Sequence, residues 1–162
     1  MSNNLPGNII HYVINITKDI VPASFRSSLE YIYDELETAI LRPNDEDKAI
    51  FQYPAGTTIR PGFERFVSAL GIKGVSPISS TKNVGDSIRA TLRLAESQLG
   101  GIAEIHLYGF STGEDILPAA IIIADMLPET EIFVHKQGIA DIDPVLHGCA
   151  IKVMESIGII IV

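Results

Sequence analysis

Short, strongly apolar segments alternate along this chain with segments whose apolar residues recur every three to four positions. That alternation constrains the fold more than any other feature. Ile9 to Ile16 reads as a buried strand. From Ser24 to Leu41, Phe25, Leu29, Ile32, Leu36 and Ile40 recur near the 3.6-residue period of a helix. Ala49 to Tyr53 is a second strand, Pro54-Ala55-Gly56 a turn, and Thr57-Thr58-Ile59 a short antiparallel edge strand. Phe63 to Leu70 is a short helix, and Gly71 to Ser80 is loop-like. Asp86 or Ser87 caps a helix that runs to Leu99 and stops at Gly100-Gly101. Strands at Ile102–Tyr108, Glu131–His135 and Gly158–Val162 then alternate with helices at Asp115–Met126 and Pro144–Ser156. Pro118 is tolerated because it falls in the first turn. This order specifies an α/β, Rossmann-like, doubly wound fold. Its sheet is mostly parallel, with helices on both faces.

The length of 162 residues suits one domain spanning the whole chain. A formal net charge of −8 and the absence of a basic run argue against nucleic acid or an anionic membrane as the main partner. Cys149, the only cysteine, rules out an internal disulfide and suits a reducing compartment. The first residues lack the basic and apolar parts of a signal peptide. No apolar run approaches the ~18 residues that span a bilayer. The expected location is the cytoplasm.

Three segments rich in small polar residues fall where the strands of a parallel sheet end. They are Asn15-Ile16-Thr17-Lys18-Asp19, Ser79-Ser80-Thr81-Lys82-Asn83 and Gly109-Phe110-Ser111-Thr112-Gly113-Glu114-Asp115. Such sheets bind ligands at that edge. Thr17, Asp19 and Thr81 offer two hydroxyls and a carboxylate to a hard cation such as Mg²⁺, with Asn15 beside them. The competing reading is ordinary capping and turn chemistry. Gly109-Phe110-Ser111-Thr112-Gly113 also matches Gly-x-Ser-x-Gly between a strand and a helix, the pattern of a hydrolase nucleophile turn. Asp141 or Asp143, and then His147, follow in the order a triad needs. His11, His106 and His135 lie in apolar strands, where histidines satisfied by neighbouring groups are the simpler reading. Cys149 reads as a buried small apolar residue.

In the order and spacing of these segments the whole chain resembles a von Willebrand factor type A domain. That resemblance implies a metal-ion-dependent adhesion site at the carboxyl edge of the sheet. Asn15-Ile16-Thr17-Lys18-Asp19 takes the place of its Asp-x-Ser-x-Ser, Thr81 that of its threonine, and Gly109 that of its second aspartate. With two carboxylates replaced, the site is expected to be degenerate, binding Mg²⁺ weakly or not at all. The resemblance implies a non-catalytic protein-interaction module whose binding face comprises Asn15, Thr17, Asp19, Thr81, Gly109, Ser111 and Thr112.

Two enzyme readings compete with it. One is a serine hydrolase using Ser111. The other is a divergent Clp-type serine peptidase using Ser87, His106 and Asp141, although Pro54-Ala55-Gly56 lacks the paired glycines of that family. The helix from Asp115 to Met126 is apolar on most sides. It lies either between neighbouring helices or, through the side bearing Ile122, against a second copy in a two-fold dimer.

Overall fold

The computed structural model describes residues 7–19, 23–42, 46–80 and 84–162. The strands are β1 (Asn8–Ile14), β2 (Asp47–Pro54), β3 (Ile78–Ser80), β4 (Ile102–Phe110), β5 (Glu131–Ala140) and β6 (Ile160–Ile161). The helices are α1 (Arg26–Leu41), α2 (Glu64–Leu70), α3 (Val84–Leu99), α4 (Leu117–Met126) and α5 (Pro144–Ser156). The strands form one sheet in the order β3-β2-β1-β4-β5-β6, and every neighbouring pair is parallel. Successive side chains of a strand point to opposite faces. Ile10, Tyr12 and Ile14 of β1 therefore pack with α3, α4 and α5, while Val13 packs with α1 and α2. The chain is thus an α/β protein with a parallel sheet covered on both faces. Among the described residues no helix is long and apolar enough to cross a membrane.

Several expected boundaries move for identifiable reasons. Ile78–Ser80, expected to be loop, pairs in parallel with Gln52–Pro54 as the edge strand β3. It is too short to show a period. Thr57-Thr58-Ile59 makes no hairpin with β2; Ile59 forms an isolated antiparallel bridge with Thr17. β5 runs past His135 to Ala140, because Gly138 lets the strand pass Tyr108 and Tyr31, whose rings lie 2.9 Å and 3.2 Å from where a Cβ would stand. α4 is internal. Ile116, Ala119, Ala120 and Ile123 are buried, and Ile122 packs against the same core near Gly85. The helix lies between α3 and α5, so Ile122 is not the outward position that a dimer contact would need.

A connected polar cluster lies on the α1 side of the sheet. His11 donates or accepts at Tyr108 (3.0 Å) and pairs with Asp47 (2.7 Å), which Arg42 also meets at 3.1 Å. His135 bonds Tyr31 of α1 and His106, each at 2.7 Å, and His106 reaches Glu104 at 2.9 Å. Burial lowers the pKa of His135 to about 4, and the nearby His106 and His11 push the same way. Burial also lowers that of His106, which Glu104 only partly offsets. At Asp47 burial acts upward, but the hydrogen bond and charge of His11, with Arg42, leave the carboxyl below its ordinary range. The strand histidines are therefore satisfied by neighbouring side chains, His11 by Tyr108 and Asp47, and His106 and His135 by each other with Glu104 and Tyr31.

Candidate ligand site at the β1/β4 switch point

From β1 the chain passes to β2 on one side, and β4 lies on the other. The sheet's order reverses between these two central strands. The crevice beyond their carboxyl ends is where open α/β sheets receive ligands. Asn15 follows β1 directly, and Ser111 follows β4 directly.

Asn15 adopts φ +59°, the only left-handed non-glycine residue among those described. Asparagine tolerates that region better than most side chains do. Its Nδ2 donates to the carbonyl of Phe110 at 2.8 Å, which ties the end of β1 to the end of β4. Its Oδ1 is buried and has no partner, and the buried hydroxyl of Thr17 is in the same condition. A buried polar atom without a partner is costly, and natural structures rarely leave one unless a water or ligand meets it. The bond to the Phe110 carbonyl fixes which amide atom is Nδ2, so the unpartnered atom is the oxygen, which can only accept. What it lacks is an N–H or O–H donor.

The Phe110–Ser111 peptide is cis. Beyond it Thr112–Ile116 forms a π-helical turn that leads into α4. The amides of Asp115 and Ile116 both donate to the Ser111 carbonyl at 3.0 Å. The Asp115 carboxylate turns back to accept from the Ser111 amide at 3.2 Å, with the Ser111 hydroxyl 3.5 Å away. Helix α5 closes this turn from the side. Thr112 Oγ1 meets His147 Nδ1 at 2.8 Å, Gly113 N donates to Asp141 at 2.9 Å, and Leu146 lies where a side chain at Gly113 would stand. Asp143 caps α5 by accepting from Val145 and Leu146.

The sequence-derived site residues are distributed unevenly around this edge of the sheet. Asn15, Gly109, Ser111 and Thr112 gather at the ends of β1 and β4. Thr17 is wholly buried beside them, Asp19 is exposed, and Thr81 lies outside the described residues. Among the described residues no group of three or more His, Cys, Asp or Glu side chains could hold a metal. Asp115 was not among the expected site residues. A helix-start aspartate reads as a cap, and its reach back to Ser111 depends on the π turn. His147 was expected to serve Ser111, but it is bonded to the buried hydroxyl of Thr112. Cys149 is exposed rather than buried.

The similarity of the whole fold bears on these readings. Superposition on the nicotinamidase SaPncA of Staphylococcus aureus gives a TM-score of 0.74 over 96% of this chain and 99% of that one, at 15% identity. The nicotinamidase/pyrazinamidase PncA of Bacillus subtilis gives 0.73 over 95% and 98%, at 18% identity. An isochorismatase-like hydrolase of Alkaliphilus metalliredigens gives 0.67 over 96% and 93%, at 12% identity. The fold is that of nicotinamidase- and isochorismatase-like hydrolases. No protein-family model matches the chain, and no curated protein matches its sequence.

These neighbours overturn the von Willebrand A resemblance, and with it the non-catalytic interaction module and the degenerate adhesion site. The order of strands, helices and polar loops that suggested that family is common to doubly wound sheets and does not separate one from another. The serine readings fail too. Ser111 has no histidine partner. Ser87 belongs to α3 on one face of the sheet, whereas His106 is joined through His135 to α1 on the other.

Proposed function

We propose that this chain is a hydrolase of small primary amides, acting in the crevice at the carboxyl ends of β1 and β4. The observation that carries this reading is the buried, unpartnered Oδ1 of Asn15 at the switch point. A primary amide supplies the missing N–H donor. The shared scaffold of nicotinamidases, over nearly the whole of both chains, supports the same substrate class.

Asn15 accepts one amide N–H and fixes the carbonyl carbon beside the π turn. The Asp115 carboxylate takes a proton from a water as its oxygen bonds to that carbon. The C–N bond then breaks, the proton passes from Asp115 to the departing nitrogen, and carboxylic acid and ammonia leave. A carboxylate in this role contributes about 10²–10⁴-fold in rate.

Ammonia release from a panel including nicotinamide and pyrazinamide tests the reading. Asp115→Asn keeps an oxygen that can accept from the Ser111 amide but removes the base. It is expected to fold normally and lose about 10²-fold or more in kcat. Asn15→Ala is expected to impair turnover as well. Absence of turnover across the panel, or an unchanged rate in Asp115→Asn, would overturn the proposal.

A further inference from the structure

Tyr12 and Tyr108 are both wholly buried, yet their hydroxyls meet partners of different chemistry. Tyr12 donates to Gln52 Oε1 at 2.5 Å, an amide oxygen that takes up no proton near neutral pH. Tyr108 lies 3.0 Å from His11 Nδ1, and His11 Nε2 lies 2.7 Å from the Asp47 carboxylate. An ionised carboxylate only accepts, so the hydrogen of the neutral imidazole sits on Nε2. Nδ1 then carries the lone pair, and Tyr108 donates to it. Arg42 meets the same carboxylate at 3.1 Å. Tyr108, alone of the two, has a base on its hydroxyl and a carboxylate behind the base.

Hydroxyl, imidazole and carboxylate in this order move a proton off the hydroxyl. No substrate reaches this one, because Tyr108, His11 and Asp47 are all buried. An electron crosses such a layer. Loss of an electron makes a phenol O–H strongly acidic, and a buried phenol gives up that electron readily only where its proton is taken at once. Before that, burial holds the Tyr108 hydroxyl well above its ordinary pKa, with Glu35 and Tyr31 pushing the same way, so the proton stays in place. The imidazolium formed on proton transfer remains 2.7 Å from Asp47. The His106 ring, 5.6 Å from that of His11, is kept neutral by burial and adds no like charge. Aromatic rings also lead outward. The Tyr108 ring stacks on His135 at 4.6 Å, and the half-buried Tyr31 of α1 lies 5.8 Å from His135.

We propose that Tyr108 is a one-electron donor to diffusible radical oxidants, peroxyl radicals by class, with His11 as its proton acceptor. The electron passes to the peroxyl radical, which leaves as its peroxide anion. The O–H bond of Tyr108 breaks and an N–H bond forms at His11 Nδ1. A neutral tyrosyl radical is left beside the ion pair of His11 and Asp47. Sealed from solvent, it does not couple with a second tyrosyl as an exposed one does. This inference stands apart from the hydrolase reading, since none of these residues contributes to the crevice chemistry.

Electron paramagnetic resonance of the full chain tests it, at pH 8, where an ordinary histidine is neutral. The oxidants are photogenerated tris(bipyridine)ruthenium(III) and, separately, peroxyl radicals from a water-soluble azo initiator. Both are expected to give a neutral tyrosyl signal that outlives that of free tyrosine at least tenfold. Tyr108→Phe is expected to lose the long-lived signal, and Tyr12→Phe to keep it. His11→Asn retains an oxygen that accepts from Tyr108 but cannot hold the proton, and its yield is expected to fall at least tenfold, with circular dichroism confirming the fold. If that variant does not fold, the wild type still reports the acceptor: after exchange into D₂O, pulsed electron–nuclear double resonance is expected to show a deuteron hydrogen-bonded to the radical. A wild type without the long-lived signal under either oxidant, or a signal that survives in Tyr108→Phe, would overturn the inference. So would an undiminished yield in folded His11→Asn, or a radical with no exchangeable hydrogen bond.

Discussion

Replacing Gly109 by alanine is expected to be among the most damaging single changes in this protein. Gly109 has φ +129° and pairs with Ile14 across the central β1/β4 seam. A Cβ there would stand 1.9 Å from the Ile14 carbonyl oxygen, 2.8 Å from its carbon and 2.9 Å from its nitrogen. All three are backbone atoms of a buried strand, so no rotamer change relieves the contact. The ends of β1 and β4 must separate instead. Gly101 is the control, because its φ of +136° is almost the same and nothing lies within 4 Å of its Cβ position. Gly101→Ala therefore carries only the backbone cost, about 1–3 kcal/mol. Gly109→Ala adds the separation of two core strands, which brings the loss to about 4 kcal/mol or more, the range reserved for severe mutations. With a urea m-value of about 2 kcal/mol/M, the midpoint falls by about 2 M. Urea unfolding followed by circular dichroism measures both variants. If Gly109→Ala were no more destabilising than Gly101→Ala, the close strand approach at the switch point would be refuted.

Tyr12→Phe is expected to cost about 1–3 kcal/mol, because the Tyr12 hydroxyl donates to Gln52 Oε1 at 2.5 Å and both side chains are buried. Adding Gln52→Leu is expected to recover part of that loss, and a double-mutant cycle in urea reads it. Acid is expected to destabilise the fold from pH 6.5 downward. With His135 at about 4 in the folded chain, the unfolded chain binds more protons between about pH 6.5 and 4. Stability is therefore fully present above that window and declines through it by up to about 3 kcal/mol. Asp47, held low in the folded chain, adds a further loss below about pH 4. Unfolding free energies that stayed flat between pH 7 and pH 5 would contradict this account of the histidine cluster.

The layered architecture was legible because periods of about 2 and 3.6 are strong over long segments such as Ile9–Ile16 and Ser24–Leu41. The three-residue β3 and the polar end of β5 carry too little apolar signal to register. That Asn15 and Ser111 stand at the carboxyl edge of the sheet was also legible, since both follow apolar strands. The partners were not. That Asn15 bonds Phe110 and leaves its carbonyl oxygen free depends on a left-handed backbone. That Asp115 reaches Ser111 depends on a π turn. Neither geometry has a sequence period. The family resemblance failed for a related reason: short polar motifs in the right order describe the edge of many doubly wound sheets.

The most direct test of the central claim is where a primary amide binds. Nicotinamide titrated into ¹⁵N-labelled Asp115→Asn protein, the variant expected to bind it without turnover, reports that position in two-dimensional NMR spectra. The account predicts shifts centred on the Asn15 side-chain amide and on the backbone amides of Thr17 and Ser111–Asp115. Shifts gathered elsewhere on the molecule, or none with nicotinamide or any other small primary amide, would contradict it.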